Sequence, residues 1–128
     1  MRRSRFRMAA EAATLMSVAV FLCGMAHAQD SAYPVKPIRL VVGYTPGGGA
    51  DITGRLIAQS INDATGQQVI VENRPGASQN LAAEFVARSS PDGYTLFMSS
   101  SALGINASLF QKLSYDPVKS FAPVAVFA

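Results

Sequence analysis

The stretch that decides the fold is residues 40–59, "LVVGYTPGGGADITGRLIAQ". It begins inside an apolar run, Ile38 to Val42, whose β-branched and leucine side chains predict a strand buried on both faces. Three consecutive glycines, Gly47 to Gly49, then predict a loop. The segment from Asp51 to Ala64 follows as a predicted helix. The apolar residues that fall on one face of that helix are Ile52, Leu56, Ile57 and Ile61.

The same order of strand, loop and helix occurs twice more along the chain. Residues 68–72 and 94–98 predict two further strands, and residues 80–88 and 107–113 predict two further helices, the first of them burying Leu81 and Phe85. A last strand is predicted at residues 122–127. Such alternation is typical of an α/β fold with a parallel sheet and right-handed crossovers. Ligands of such sheets bind at the carboxyl ends of the strands, where the three loops are expected to meet.

Met1 to Ala28 has the features of a secretory signal peptide. Four arginines precede an apolar segment at residues 12–25 that is too short to span a bilayer comfortably, and Ala26-His27-Ala28 fits the cleavage rule for small residues. We therefore expect export to the periplasm and a mature chain that starts at Gln29.

The composition of residues 29–128 excludes several classes of function. This part carries seven basic and seven acidic residues, so the net charge of +3 belongs to the export signal and gives no support to nucleic-acid binding. It contains no cysteine and no histidine, because Cys23 and His27 both lie in the signal. A disulfide, a thiol nucleophile, a zinc site with the usual ligands and a Ser-His-Asp triad within this chain are excluded.

Two nucleotide-binding motifs fit the glycine loop poorly. A Walker A loop fails because Gly49 and Ala50 stand where lysine and Ser/Thr are required. A dinucleotide fingerprint fails at its third glycine, where Ile52 stands, although Glu72 lies where a ribose-binding acid would be. A nucleotide-dependent oxidoreductase fragment is therefore kept as an alternative function.

A main-chain anion site fits the glycine loop better. Glycines let backbone N–H groups approach a ligand closely, and a helix N-terminus adds partial positive charge, so a carboxylate suits the loop. The structural alternative is a tight turn, which would need one glycine rather than three. We interpret Asp51 as the helix N-cap in preference to a ligand group, and Glu72 and Arg74 as solvated or paired surface charges.

The sequence allows two interpretations for each of several polar side chains. Arg55 could face solvent or reach the cleft, and Tyr44 could pack on a ligand or on its own loop. Ser99, Ser100 and Ser101 could donate hydrogen bonds to a ligand or cap the next helix.

Three blocks of the sequence, residues 33–59, 69–96 and 113–124, together resemble the substrate-binding receptors of tripartite tricarboxylate transporters, also called Bug receptors. The blocks read "YPVKPIRLVVGYTPGGGADITGRLIAQ", "VIVENRPGASQNLAAEFVARSSPDGYTL" and "LSYDPVKSFAPV". The resemblance implies an α/β fold of the periplasmic-binding-protein type II-like class, with a mostly parallel sheet flanked by helices. It also implies two domains that close on a ligand about a hinge. We expect residues 29–128 to be the N-terminal part of the first domain, with the second domain absent.

The resemblance implies which residues bind a ligand. They lie in the first and third loops: Tyr44, Pro46, Gly47, Gly48, Gly49, Asp51, Ser99, Ser100, Ser101 and Asn106. The second loop departs from the family pattern, because Ser78 and Gln79 stand where the family usually has two glycines. This departure argues against a close backbone approach at that loop.

The function implied by the resemblance is capture of a small carboxylate in the periplasm for the membrane subunits of a transporter. We expect a monomer that needs no cofactor and no metal, carries out no covalent chemistry and binds no nucleic acid. A truncated chain is expected to bind weakly or not at all. A further alternative is a ligand-sensing module for a two-component system.

Overall fold

The computed structural model describes residues 33–127, so the predicted signal peptide lies outside the described residues. Strands and helices alternate along this part of the chain, which confirms the predicted α/β class. In chain order the elements are β1 (Ile38–Val42), α1 (Gly49–Thr65), β2 (Val69–Asn73), α2 (Asn80–Ala87), β3 (Thr95–Met98) and α3 (Ala102–Leu109).

The three strands form one parallel sheet in the order β2-β1-β3. Leu40, at the middle of β1, is paired with Val71 of β2 and with Leu96 of β3. β1 is therefore the central strand, and four of its five residues are buried, as the apolar run predicts. Because the strands are parallel, their carboxyl ends lie at one edge of the sheet.

α1 packs on the sheet through small residues. Its buried positions are Asp51, Gly54 and Ala58, and a Cβ atom added at Gly54 would lie 3.1 Å from Cγ2 of Val42. Two of the residues on the predicted apolar face of α1, Ile52 and Leu56, are therefore 55% and 65% exposed. The helix backbone approaches the sheet so closely that large side chains do not fit on that face.

α2 follows the same rule of packing through small side chains. Ala82 and Ala83 are fully buried, whereas Leu81, predicted to be buried, is 54% exposed. Phe85 is half-buried and lies beneath the guanidinium of Arg74, whose carbon is 3.6 Å from the ring centroid.

Two sequence predictions for the last third of the chain are wrong. α3 occupies residues 102–109 rather than 107–113, because the N–H of Leu103 and of Ile105 already bond to the carbonyls of Ser100 and Ser101. Residues 122–127 form no strand, since nothing among residues 33–127 pairs with their backbone. A run of strand-like side chains needs a neighbouring strand before it can form a ladder.

Phe121 anchors the chain after α3. Its ring lies 5.9 Å from that of Phe97 on β3 and 5.7 Å from that of Tyr115, measured between centroids. Among the helices that the structure describes, none has the length and apolar character needed to cross a bilayer.

Candidate functional site

Three loops lie side by side at the carboxyl edge of the sheet. They are residues 43–48 after β1, residues 74–79 after β2 and residues 99–101 after β3. Oη of Tyr44 in the first loop is 2.7 Å from Oγ of Ser100 in the third. Nε2 of Gln79 in the second loop donates to the same Ser100 oxygen over 3.4 Å. Ser100 therefore joins all three loops, as the parallel topology predicts.

The glycine loop leaves the N-terminus of α1 open. Gly48 is the N-cap, with extended backbone and no side-chain cap, and the first helical hydrogen bond runs from the N–H of Ile52 to the carbonyl of Gly48. Gly47 has a φ of +83°, a left-handed conformation that favours glycine. No atom lies within 4 Å of a Cβ added at Gly47 or Gly49. The free N–H groups and the positive end of the helix dipole suit an anion.

Asp51 is buried and fixes the conformation of the glycine loop. Its Oδ2 accepts hydrogen bonds from the N–H of Gly47 at 2.9 Å and from Nε of Arg55 at 3.1 Å, and its Oδ1 accepts one from Nδ2 of Asn73 at 2.9 Å. The hydrogen bonds from Arg55, Gly47 and Asn73, in that order, lower the pKa of Asp51 from 3.8 to about 2. The interpretation of Asp51 as N-cap is wrong, since Gly48 is the N-cap and Asp51 lies in the first turn of α1, with its side chain bonded back to the loop.

Asn73, the last residue of β2, was not predicted as part of the site. Besides its bond to Asp51, its Nδ2 donates to the carbonyl of Tyr44 at 3.1 Å, and its Oδ1 accepts from Nη2 of Arg55 at 3.4 Å. Arg55 therefore reaches the loops while its side chain stays 55% exposed, so both of its interpretations stay open. The signal in the sequence was an amide side chain at the carboxyl end of a strand.

The serine hydroxyls have different surroundings. Oγ of Ser100 accepts the N–H of Ala102 at 3.2 Å at the start of α3 and also contacts the Tyr44 hydroxyl, so Ser100 both supports a helix and lies exposed at the loop edge. Ser99 donates to the carbonyl of Ser100 at 3.1 Å, and Ser101 is the N-cap without a side-chain cap bond. The hydroxyls of Tyr44 and Ser100 are thus held as a pair.

Asn106 belongs to a buried polar cluster. Its Nδ2 donates to the carbonyl of Ser78 at 2.7 Å and to Oδ1 of Asn80 at 2.8 Å, and the hydroxyl of Tyr115 donates to the same Asn80 oxygen at 2.6 Å. Burial raises the pKa of Tyr115, so its hydroxyl stays a donor. The cluster ties α3 and Tyr115 to the second loop.

The ten predicted ligand-binding residues thus fall into two groups. Asp51 and Asn106 are buried, and their side chains are hydrogen-bonded to other parts of the protein. The other eight are half-buried or exposed at the edge of the loops. Direct contact with a solute stays a prediction for every member.

The second loop has an unusual backbone. Ala77, Ser78 and Gln79 have φ values of 47°, 54° and 68°, a conformation that costs a non-glycine residue about 1–2 kcal/mol. A Cβ added at Gly43 would lie well under 3.0 Å from Cβ of Gln79 and 3.1 Å from its Cα. The second loop therefore packs directly against Gly43. The expectation that its backbone does not approach a ligand closely stays a prediction.

Gln79 is also missing from the predicted site. Its side chain is 1% exposed, and its Oε1 has no hydrogen-bond partner among residues 33–127. The sequence signal was a long polar side chain at a position where the resembled family has glycine.

Two arginines surround Glu72, the acidic residue considered for a ribose site. Glu72 is ion-paired, with its two oxygens 3.2 Å from Nε of Arg39 and 2.6 Å from Nε of Arg74, which confirms the interpretation as paired charges. No group of three potential metal ligands occurs within the described part of the chain.

Comparison with known proteins gives one family. Residues 53–128 match the family described as the tripartite tricarboxylate transporter family receptor. The protein BugT of Bordetella pertussis is 38% identical over 96 residues, which are 73% of this chain and 29% of BugT.

Solved structures with the same fold include a periplasmic binding protein. The periplasmic binding protein BugD superposes with a TM-score of 0.69 at 35% identity, over 71% of this chain and 30% of BugD. MatC from Rhodopseudomonas palustris, solved with bound malate, gives a TM-score of 0.68 at 40% identity, over 72% of this chain and 32% of MatC. The chain therefore spans about a third of the length of the proteins it matches.

Proposed function

The chain belongs to the tripartite tricarboxylate transporter receptor family, and from this premise we propose that it captures a small carboxylate in the periplasm for a membrane transporter. Members of this family are substrate-binding receptors, and the similar MatC was solved with malate bound. Export through the predicted signal peptide, with cleavage before Gln29, belongs to the same proposal.

The observation that carries the proposal is the open N-terminus of α1 beside the paired hydroxyls of Tyr44 and Ser100. One carboxylate can accept hydrogen bonds from backbone N–H groups of the glycine loop and from a hydroxyl of that pair. Arg55 is bonded to Asp51 and so positions the loop. Binding of this kind needs no covalent step.

This chain matches about a third of the length of its relatives, and we expect the rest of the binding site to correspond to the part that it does not match. A solute held at one open edge is poorly buried, whereas small-molecule sites cover most of their ligand. We propose that a second α/β domain closes over the loops, and that the solute shifts the population toward the closed form. The membrane subunits would recognise that closed form.

The test is titration calorimetry on the full-length product of the gene with succinate, malate, citrate, adipate and lactate. We expect saturable binding of at least one acid, and roughly tenfold weaker binding after Ser100→Ala, because a bond to a charged group is lost. Ser60→Ala is the matched control, since that hydroxyl bonds to Leu56 within α1. Failure of every acid to saturate, or equal effects of the two variants, would contradict the proposal.

The transport function and the sensing alternative predict different effects of deleting the membrane-subunit genes on uptake of the acid. We expect uptake of the radiolabelled acid to stop when their genes are deleted. Uptake that continues unchanged in the deletion strain, together with loss of an acid-induced transcriptional response when this gene is deleted, would favour the sensing alternative.

A further inference from the structure

The side chain of Gln79 carries an unexplained polar atom at the centre of the three loops. It is 1% exposed, and its Oε1 has no hydrogen-bond partner among the described residues. Buried acceptors without a partner are rare in folded proteins, and each one calls for a physical reason. A solute at this edge of the sheet is one source of the missing partner.

The backbone of Gln79 is held firmly while its amide is held weakly. The carbonyl of Gln79 accepts the N–H of Ala83 at 3.0 Å, and its Cα lies against Gly43. The amide makes one hydrogen bond within residues 33–127, the long 3.4 Å contact from Nε2 to Ser100. Rotation of the side-chain torsions toward the loop edge therefore gives up little.

The left-handed backbone conformation of Gln79 also supports a functional role for this residue. A residue with a side chain is strained at a φ of 68°, and such strain is found most often at functional sites. A purely structural turn would be satisfied better by glycine, which adopts a positive φ without strain. The strain and the unpartnered oxygen are two independent observations on one residue.

We propose that Gln79 is a specificity-determining residue, whose side-chain amide turns toward the bound solute and contacts a hydroxyl group that the solute carries beside its carboxylate. A hydroxyl can donate to Oε1 and can also accept from Nε2, so it satisfies either end of the amide. The substrate class is therefore hydroxy acids in preference to their unsubstituted analogues. This inference rests on the proposed function, because it requires a carboxylate at the three loops.

The experiment compares matched pairs of acids by calorimetry on the full-length product of the gene. The pairs are propionate and lactate, succinate and malate, and glutarate and 2-hydroxyglutarate. We expect the native protein to bind the hydroxylated member of its best pair about tenfold more tightly. Gln79→Leu, which keeps the size of the side chain and removes the amide, should reduce that preference to less than twofold while the unsubstituted acid still binds.

Two further variants separate specificity from stability. Gln79→Gly removes the amide and the backbone strain together, so it should raise the unfolding midpoint and still lose the preference. Gln68→Leu is the matched control, because Gln68 lies at the opposite end of β2 and should keep the preference.

The outcomes distinguish this inference from the function on which it rests. Equal binding of both members of a pair by the native protein, or a preference that survives Gln79→Leu, overturns the inference and leaves carboxylate capture intact. Absence of binding to any acid overturns both.

Discussion

The close approach of Gly43 to Gln79 gives a prediction of stability that can be worked from distances. Gly43→Ala places a Cβ well under 3.0 Å from Cβ of Gln79, 3.1 Å from its Cα and 3.5 Å from Cβ of Ala82. The backbone of Gln79 cannot move away easily, because its carbonyl accepts the N–H of Ala83 in the first turn of α2. Overpacking of this kind typically costs about 1–3 kcal/mol, and we expect about 3 kcal/mol here.

A double-mutant cycle tests the contact itself. Gln79→Gly alone removes a left-handed Cβ and should stabilise the protein by about 1 kcal/mol. In that background, Gly43→Ala meets no atom closer than the Cα at 3.1 Å, so its cost should fall to about 1 kcal/mol. The coupling energy between the two positions is therefore expected to be about 2 kcal/mol, within the range seen for residues in contact.

The assay is urea unfolding of the full-length product of the gene, followed by circular dichroism. Gly49→Ala, at the first position of α1, is the control, because no atom lies within 4 Å of its added Cβ, and it should change stability by less than about 0.5 kcal/mol. The reasoning is refuted if Gly43→Ala costs the same in both backgrounds, or if it costs no more than Gly49→Ala.

Three more predictions concern the core and the ionised carboxylate. The lowered pKa of Asp51 adds stability that is complete above pH 3.8 and lost as the pH falls through about 2. Unfolding midpoints between pH 5 and pH 2 should therefore fall more steeply in the native protein than in Asp51→Asn; parallel curves would contradict this. Asn80→Ala removes the oxygen that accepts hydrogen bonds from both Tyr115 and Asn106, and it should lower the free energy of unfolding by about 3 kcal/mol in thermal unfolding. Tyr115→Phe removes one of those bonds and should cost about 1 kcal/mol. Equal costs for the two variants would contradict a shared acceptor. Gly54→Val should cost at least about 3 kcal/mol, since its Cβ would meet Val42 and Met98 at 3.1 and 3.2 Å. Gly104→Ala, in open space on α3, should instead gain up to about 1 kcal/mol. Both variants can be measured in the same urea assay, and a Gly54→Val protein of native stability would contradict the close packing of α1 on the sheet.

The strands and their loops could be predicted from sequence because local signals agree there. The apolar runs that become β1, β2 and β3 are bounded by glycine, proline or polar residues, and parallel topology then brings the loops together. The packing face of α1 could not be predicted in this way. Its isoleucine and leucine stripe obeys helical periodicity, yet Gly54 and Ala58 set the distance to the sheet, and that distance depends on the tertiary fold.

Sequence patterns identified some residues of the three loops and missed others whose part depends on tertiary contacts. The glycines of the first loop and the serines of the third are recognisable from composition and place. Asn73 and Gln79 act through partners distant in sequence, Asp51 and Ser100, which local patterns do not reveal. Asp51 was placed at the right end of the helix, but its hydrogen bonds run back to Gly47 instead of capping.

The neutralised arginines have a consequence for the kinetics of binding. Arg55 is paired with Asp51, and Glu72 is shared by Arg39 and Arg74, so most of the arginine charge near the loops is balanced by a carboxylate. Backbone dipoles attract an anion over a short range, whereas net charge steers it over distances comparable to the Debye length. Under the proposed function, these side chains should consequently make only a small contribution to the dependence of the solute's association rate on ionic strength.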